Sequence, residues 1–411
     1  MIRHLNQIKI SDPVIGGNIS LLRKYVNVAS NDDFILLVSW LLGAARPHKP
    51  YAILNIFGES GSGKSTLIQV IKELLDPTQA VKRRPHSDTR NLFIAAKSNW
   101  ILAYDNLSNI SEVMSDALCN IATAGSHGAR KLYTDDEEFV ITVARPIILS
   151  GIPNIVQRND LSDRCVMICV PPISANTRID EDTFWTEFQR DKGLILAGLC
   201  AALSGAIKHL PDVHLLQMPR MADFGRWCYA AAMSNELPWT PEEFFSAYEK
   251  NRHAAIEIQL EDDPIAAAVI ALINQCSEIC GTAAEILVSL EKQECVTAQK
   301  KKSSWPGAPN KLREHLTRAA SYLRSKGIEI EFDIRDSADN GKRKIKITNK
   351  VLKDKAMLDT IYHEVCGDDK TTDYVYDIEI QKIDDLSNAA KRINQKTIED
   401  IVDNILADHE V

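Results

Sequence analysis

The stretch FGESGSGKST, Phe57 to Thr66, places four residues between Gly58 and Gly63-Lys64-Ser65, the spacing of a loop that cradles the phosphates of a nucleoside triphosphate. Gly58, Gly61 and Gly63 let the backbone turn its N–H groups inward around an anion, an approach that a Cβ at every position would block. Lys64 is placed to reach the β and γ phosphates and Ser65 to offer its hydroxyl to Mg²⁺. Thr66 and the residues after it, TLIQVIKELL, supply a helix whose positive end faces the anion.

A second run, WILAYDNLS from Trp100 to Ser108, is apolar until Asp105, so a buried strand would deliver a carboxylate to the Mg²⁺ shell. Asn106 follows it. An amide can orient a water but cannot take its proton, so the general base is expected elsewhere, with Glu59 and Asp116 the nearest carboxylates. In ARPIILSGIPN, a third apolar strand from Pro146 to Leu149 ends in Ser150, with Asn154 just beyond. A polar group there can sense the γ phosphate or hold the attacking water; a strand followed by a turn is the plainer alternative. Arg158 and Arg164 in RNDLSDRCVMICV precede a fourth apolar strand. Such an arginine either completes a neighbouring subunit's site or pairs on the surface with Asp160 or Asp163.

The elements that must position these groups are visible as patterns. YAILNIF is a short apolar run suited to a buried parallel strand, so the order is strand, glycine loop, helix. From Asp180 to Leu260, amphipathic stretches such as LILAGLCAALSGAIKHL predict a helical lid over the nucleotide. The chain of 411 residues, 45% hydrophobic and 25% charged, is long enough for two or three domains. The apolar run FILLVSWLLGAA, Phe34 to Ala45, is short for a bilayer span and the start MIRHLNQIKI is polar, so no membrane association and a cytoplasmic location are expected. The nine cysteines lack the spacing of a zinc site and are expected as buried free thiols. Net charge is −8, but it is unevenly spread: residues 300–350 hold 14 Lys/Arg against 6 Asp/Glu, and residues 351–411 hold 7 against 15. Only the local field acts on a ligand within a Debye length.

Within the basic segment, PNKLREHLTRAASYLRSKG has an apolar face of Leu312, Leu316, Ala319, Ala320 and Leu323, with Asn310 as its expected N-cap and Gly327 as its stop. Lys311, Arg313, Arg318 and Arg324 lie on the other face. Ile328, Ile330, Phe332 and Ile334 then alternate with charges, and Asn340-Gly341 predicts a hairpin turn before Lys342, Arg343 and Lys344. With the helices from Pro264 onward, this pattern predicts a winged-helix domain that lays a helix in a DNA groove and a wing on phosphates. A winged helix used for protein contact is the alternative. Upstream, GARKLYTDDEEFVITVARP alternates around TDDE and predicts a hairpin between the second and third core strands.

PYAILNIFGESGSGKST, YDNLSNISEVMSDALCNIATAGSHGARKLYTDDEE, ARPIILSGI, RNDLSDR and PRMADFGRW, taken in order, resemble the AAA+ replicative helicases and primase-helicases of phages, plasmids and integrated mobile elements, near helicase superfamily three. The likeness spans residues 30 to 350. It implies an α/β fold: a P-loop AAA+ core with a helical lid, followed by a C-terminal winged-helix domain. It implies ATP and Mg²⁺ as cofactors, with Lys64 and Ser65 on phosphate and metal and Asp105 on metal. Ser150 becomes the first sensor, Arg164 the trans-acting arginine and Arg220 the second sensor. In that group Asn is usual at the position of Asn106, whereas Ser150 stands where Asn is common, so its shorter hydroxyl needs a water or a shifted strand. The hairpin would line a central pore and grip DNA through Arg130 and Lys131.

The expected layout is a lead-in over residues 1–48, an ATPase core over 49–179, a lid over 180–260, a winged helix over 261–350 and an acidic extension over 351–411. The expected activity is that of an ATP-driven helicase or translocase, working as a ring, a hexamer, on single-stranded or forked DNA during mobile-element replication. A primase or initiator is the expected partner, since no primer-synthesis constellation is visible. Two alternatives stay open: an ATP-switched DNA-binding initiator with slow hydrolysis, which Asn106 favours, and a protein-remodelling or defence ATPase.

Overall fold

A computed structural model describes residues 8–79, 88–130, 138–156, 158–174, 176, 178–215, 218–293, 305–335 and 342–353. The chain divides into two units, residues 1–262 and 263–411.

The first unit is built on a parallel sheet of four strands: β1 (Ile53–Phe57), β2 (Leu102–Leu107), β5 (Ile147–Gly151) and β6 (Cys165–Cys169), in the spatial order β2-β5-β1-β6. Both faces of the sheet are covered, which is why these strands read as continuous apolar runs rather than as alternating ones. One face turns Leu54, Ile56, Ile148, Val166 and Ile168 into a core shared with α1 (Asn31–Ala44), α2 (Lys64–Leu75), α6 (Glu181–His209), α7 (Ala222–Ala232) and α8 (Pro241–Asp262). The other turns Ile53, Tyr104, Leu149 and Met167 toward α3 (Thr89–Ser98) and α4 (Glu112–Thr123). Ser150 lies inside β5 rather than after it, because the pairing with β1 runs on through Ile56↔Ser150 and Phe57↔Gly151.

Helix α1 lies in the stretch expected as a helical lead-in. It is apolar on all sides and therefore sits in the core: Phe34, Leu37, Val38, Leu41 and Leu42 are fully buried, and the Trp40 indole donates to the Ala52 carbonyl at 2.8 Å. Trp227 of α7 donates in turn to the Leu42 carbonyl at 3.0 Å. Helix α6, extended to Asp212, is long and apolar enough by length and composition to span a bilayer, and part of its apolar surface is buried in the fold. Within it Asp191 and Lys192 are buried, bonded to Tyr25 at 2.8 Å and to Glu73 at 2.7 Å. Between β2 and β5 the chain forms the expected antiparallel pair, β3 (Ser126–Arg130) with β4 (Glu138–Thr142), in the register Ser126↔Thr142 to Arg130↔Glu138. Its TDDE turn lies outside the described residues.

The second unit runs α9 (Pro264–Gln275), β7 (Glu278–Gly281), α10 (Ala283–Glu291), α11 (Pro309–Ser325), β8 (Ile328–Arg335) and β9 (Arg343–Asn349), with an antiparallel sheet ordered β7-β9-β8. Leu312, Leu316, Ala319 and Leu323 of α11 are buried with Ile265, Val269, Ile273, Ile286 and Ile347. Asn310 is not the N-cap. The cap is Ala308, because Pro309 has no N–H to satisfy and a φ suited to the first helical position. Helix α9 is capped by Asp263, whose Oδ1 accepts from Ile265 and Ala266, while the Tyr322 hydroxyl of α11 donates to Oδ2. Gly327 leaves α11 at φ +75°. The Asn340-Gly341 turn lies outside the described residues. Of the seven cysteines described, all free, only Cys119, Cys165 and Cys228 are buried; Cys169, Cys200 and Cys280 are exposed, against expectation, because each falls on an outward position of its element.

Candidate nucleotide site

The glycine loop joins β1 to α2 at the carboxyl edge of the sheet. A Cβ at Gly58 would stand 2.2 Å from the Val170 carbonyl oxygen, so only glycine lets the loop leave β1 this close to β6. Gly61 and Gly63 hold φ of +79° and +87°. Gly63 caps α2 without a side chain, which leaves the first-turn N–H groups facing the loop. The Lys64 ammonium bends over the loop and donates to the carbonyls of Gly58 at 2.8 Å and Glu59 at 2.6 Å. Partial burial lowers its pKa from the ordinary lysine value, opposed by the nearby charge of Asp105.

The two halves of the expected site meet. Ser65 Oγ donates to Asp105 Oδ2 at 2.6 Å, joining residues 40 apart in sequence. Strand β5 lies between β1 and β2, so the carboxylate must lean across from the second strand away. A register irregularity between Tyr104 and Leu107 allows this: β2 departs from β5 there, Asn106 takes φ +58°, and its N–H donates to Asp105 Oδ1 at 3.0 Å. The Asn106 side chain is exposed. Ser150 is fully buried on the same sheet face as Ile56, and its hydroxyl finds no partner among the described residues. A buried hydroxyl without a partner is costly, which marks this position as a place for a polar group the protein does not itself provide. Thr66 is half-buried in the first turn of α2.

Two asparagines that the sequence reading passed over support the loop. Asn27 donates to the carbonyls of Ser62 at 3.0 Å and Pro171 at 2.6 Å, tying the loop to the end of β6. Nothing in its local sequence signals this. Asn55, fully buried in the middle of β1, donates to Asn154 Oδ1 at 2.9 Å on the sheet face opposite Ser150. The lone polar letter in YAILNIF was its signal. Asn154 is thereby engaged in holding β1, and its Oδ1 also accepts from the Val156 N–H at 3.1 Å.

The arginines gather at α5 (Asn159–Ser162). Arg158 pairs with Asp116 at 2.9 Å and with Asp160 at 3.0 Å, so one candidate base is held in an ion pair. Arg164 donates through Nη1 to the Asp160 carbonyl, and Arg220 lies 3.8 Å from Asp163, half exposed. The surface-pair alternative thus describes Arg158 in this conformation. Glu59 is exposed in the loop.

On the expected DNA surfaces, Arg130 ends β3 and Lys131 lies outside the described residues. Lys311, Lys342 and Arg343 are exposed, and Lys344 is half-buried. Arg313 is bound on both nitrogens to Asp333, at 2.7 and 2.6 Å, with its guanidinium 5.0 Å over the Phe332 ring. Arg318 pairs with Glu314 one turn back.

A family model described as actinomycete integrative conjugative element replication protein matches residues 19–238, more than half of the chain. The chain belongs to that family. A second model, the AICE RepA C-terminal domain, matches residues 265–357 of this replication protein. No curated protein matches it. Among solved structures, two apo structures of the C-terminal region of NrS-1 are 13% identical, cover 82% of this chain and 76 to 77% of theirs, and have TM-scores of 0.38. A ligand-bound JCV helicase is 12% identical, covers 55% of this chain and 66% of its own, and has a TM-score of 0.24.

Proposed function

We propose that this replication protein is an AAA+ ATPase that drives DNA translocation or unwinding when the integrative element replicates. The observation that carries this is the 2.6 Å bond between Ser65 and Asp105, which sets two hard oxygen donors side by side at the mouth of a glycine loop. That donor set fits Mg²⁺ and the loop fits the phosphates of ATP. Bound Mg²⁺ supplies charge neutralisation at the terminal phosphates. Lys64 would move from the loop carbonyls to the β and γ oxygens, Ser65 and Asp105 would hold the ion, and Ser150 would direct its unpartnered hydroxyl at the attacking water or the γ phosphate.

In this reading Arg164 acts on the neighbouring subunit of a ring, a hexamer, and Arg220 acts from the lid. Residues 263–353 serve as a winged helix: three helices and a sheet ordered β7-β9-β8 favour it, and Lys311, Lys342 and Arg343 offer charge to phosphates. DNA, single-stranded or forked, is the substrate, a primase or initiator the partner, and the cytoplasm the place of action. ATP hydrolysis by the purified protein, measured alone, with single-stranded DNA and with duplex, tests the reading against Lys64→Ala. Stimulation by single-stranded DNA of several-fold is expected, with no turnover in the variant. Slow turnover that DNA leaves unchanged would favour the second reading, an ATP-switched initiator. That reading draws on two features: Asn106 cannot accept a proton, and Asp116 is held by Arg158.

A further inference from the structure

Behind the nucleotide loop, α2 carries a buried ion pair that the proposed function does not use. Lys72 and Asp76 are 2% and 3% exposed and 2.5 Å apart. Both also reach Ile101, four residues ahead of Asp105. Lys72 Nζ donates to the Ile101 carbonyl at 3.1 Å, and Asp76 Oδ2 accepts from the Ile101 N–H at 2.9 Å. The pair therefore takes hold of both backbone polar groups of one residue at the entry to β2. A buried ion pair of this kind adds little net stability over apolar residues of the same shape, so its value lies in the geometry it enforces.

That geometry is a closed frame. From Ser65 the helix climbs seven residues to Lys72, about 10.5 Å at 1.5 Å per residue. From Ile101 the extended chain runs four residues to Asp105, about 13 Å at 3.3 Å per residue. The two rails are similar in length. They are joined at one end by Lys72 and Asp76 on Ile101 and at the other by Ser65 on Asp105. Sliding β2 along α2 would break both ends together, and a slip of one residue would carry Asp105 about 3.3 Å from Ser65.

We propose that Lys72 and Asp76 are positioning residues that set the reach of Asp105 toward the ion held with Ser65, and so tune metal affinity from the far end of the helix. The inference rests on the Mg²⁺–nucleotide reading of the site. It differs from a general role in stability because it separates two quantities: phosphate binding by the loop, which does not pass through β2, and metal coordination, which does.

The test uses the full chain with two double variants. Lys72→Met with Asp76→Leu removes the grip on Ile101; Lys72→Gln with Asp76→Asn keeps a donor and an acceptor for it without charge. Affinity for a fluorescent ATP analogue is measured in EDTA and in Mg²⁺, and backbone hydrogen exchange over residues 100–107 is followed without nucleotide. The expected result for Met/Leu is unchanged affinity in EDTA, a tenfold smaller gain on adding Mg²⁺, and faster exchange in β2. The Gln/Asn variant should recover most of the gain, and it carries the test if Met/Leu does not fold, by a two- to threefold loss of the Mg²⁺ gain alone. An undiminished Mg²⁺ gain in both variants, or equal losses in EDTA and in Mg²⁺, overturns the inference while leaving the ATPase reading intact. A wild-type chain that binds no nucleotide overturns that reading and the inference with it.

Discussion

Asp105 spends both carboxylate oxygens inside the protein, one on the Ser65 hydroxyl and one on the Asn106 N–H. If the proposed ion binds here, Asp105 is already held in place, and little side-chain entropy remains to be lost on coordination. Asp105→Asn keeps the shape and removes the charge. Nucleotide affinity in EDTA is expected to stay within about twofold, while turnover falls on the order of a hundredfold, the usual cost of one lost electrostatic contact in the transition state. Equal losses in binding and turnover would instead place Asp105 in the folding of the loop. The glycine loop and Asp105 could be read from the sequence because each is a contiguous pattern whose meaning depends on its immediate neighbours. Asn27 could not, since its partners, Ser62 and Pro171, lie 35 and 144 residues away.

At the scale of elements, the basic helix α11 shows how a charge pattern differs from a free charged surface. Leu312, Leu316, Ala319 and Leu323 were legible as its buried face from their spacing alone. What the spacing could not show is that β8 kinks at Asp333, which takes φ +61° at the register shift between Glu331 and Ile334 and sends its carboxylate to Arg313. Arg313 in turn holds the Asp333 carboxyl below its ordinary range. In this conformation Arg313 is a neutralised partner, Arg343 lies 4.0 Å from the same carboxylate, and Lys311 and Lys342 carry exposed charge. Asp333→Asn frees one positive charge. If this surface meets DNA phosphates, binding to random-sequence duplex should tighten, and the slope of log affinity against log salt should steepen by up to about 0.9. An unchanged slope would take Arg313 out of the DNA surface.

For the whole molecule, the first unit is a parallel sheet sandwiched between helices, with the glycine loop at its carboxyl edge, the usual place for ligands in such sheets. Arg164 stands at the entry to β6, bonded to the Asp160 carbonyl, and its backbone carbonyl accepts from the Ile53 N–H at 2.8 Å. Its local hydrogen bond is replaceable, so Arg164→Ala should fold. If the working species is a ring, that variant binds ATP as the wild type does, loses turnover, and poisons wild-type chains when mixed with them. Retained turnover, or activity that scales only with the wild-type fraction, would mean that each subunit hydrolyses ATP alone.

By itself the sequence determined what is local. The apolar runs announced buried parallel strands, the glycine spacing a loop between strand and helix, and the apolar helical face and alternating strand the run from α11 into β8. Local sterics and hydrophobic period decide these within a few residues, before distant segments are in place. Only the tertiary structure decided which long-range partners meet. It brought Ser65 to Asp105, set Lys72 and Asp76 on Ile101, packed α1 into the core, and spent Arg158 and Arg313 on neighbouring carboxylates. A side chain's type states what it can bond. Its partner is settled by the packing of elements far apart in the chain, where every buried polar group must find one.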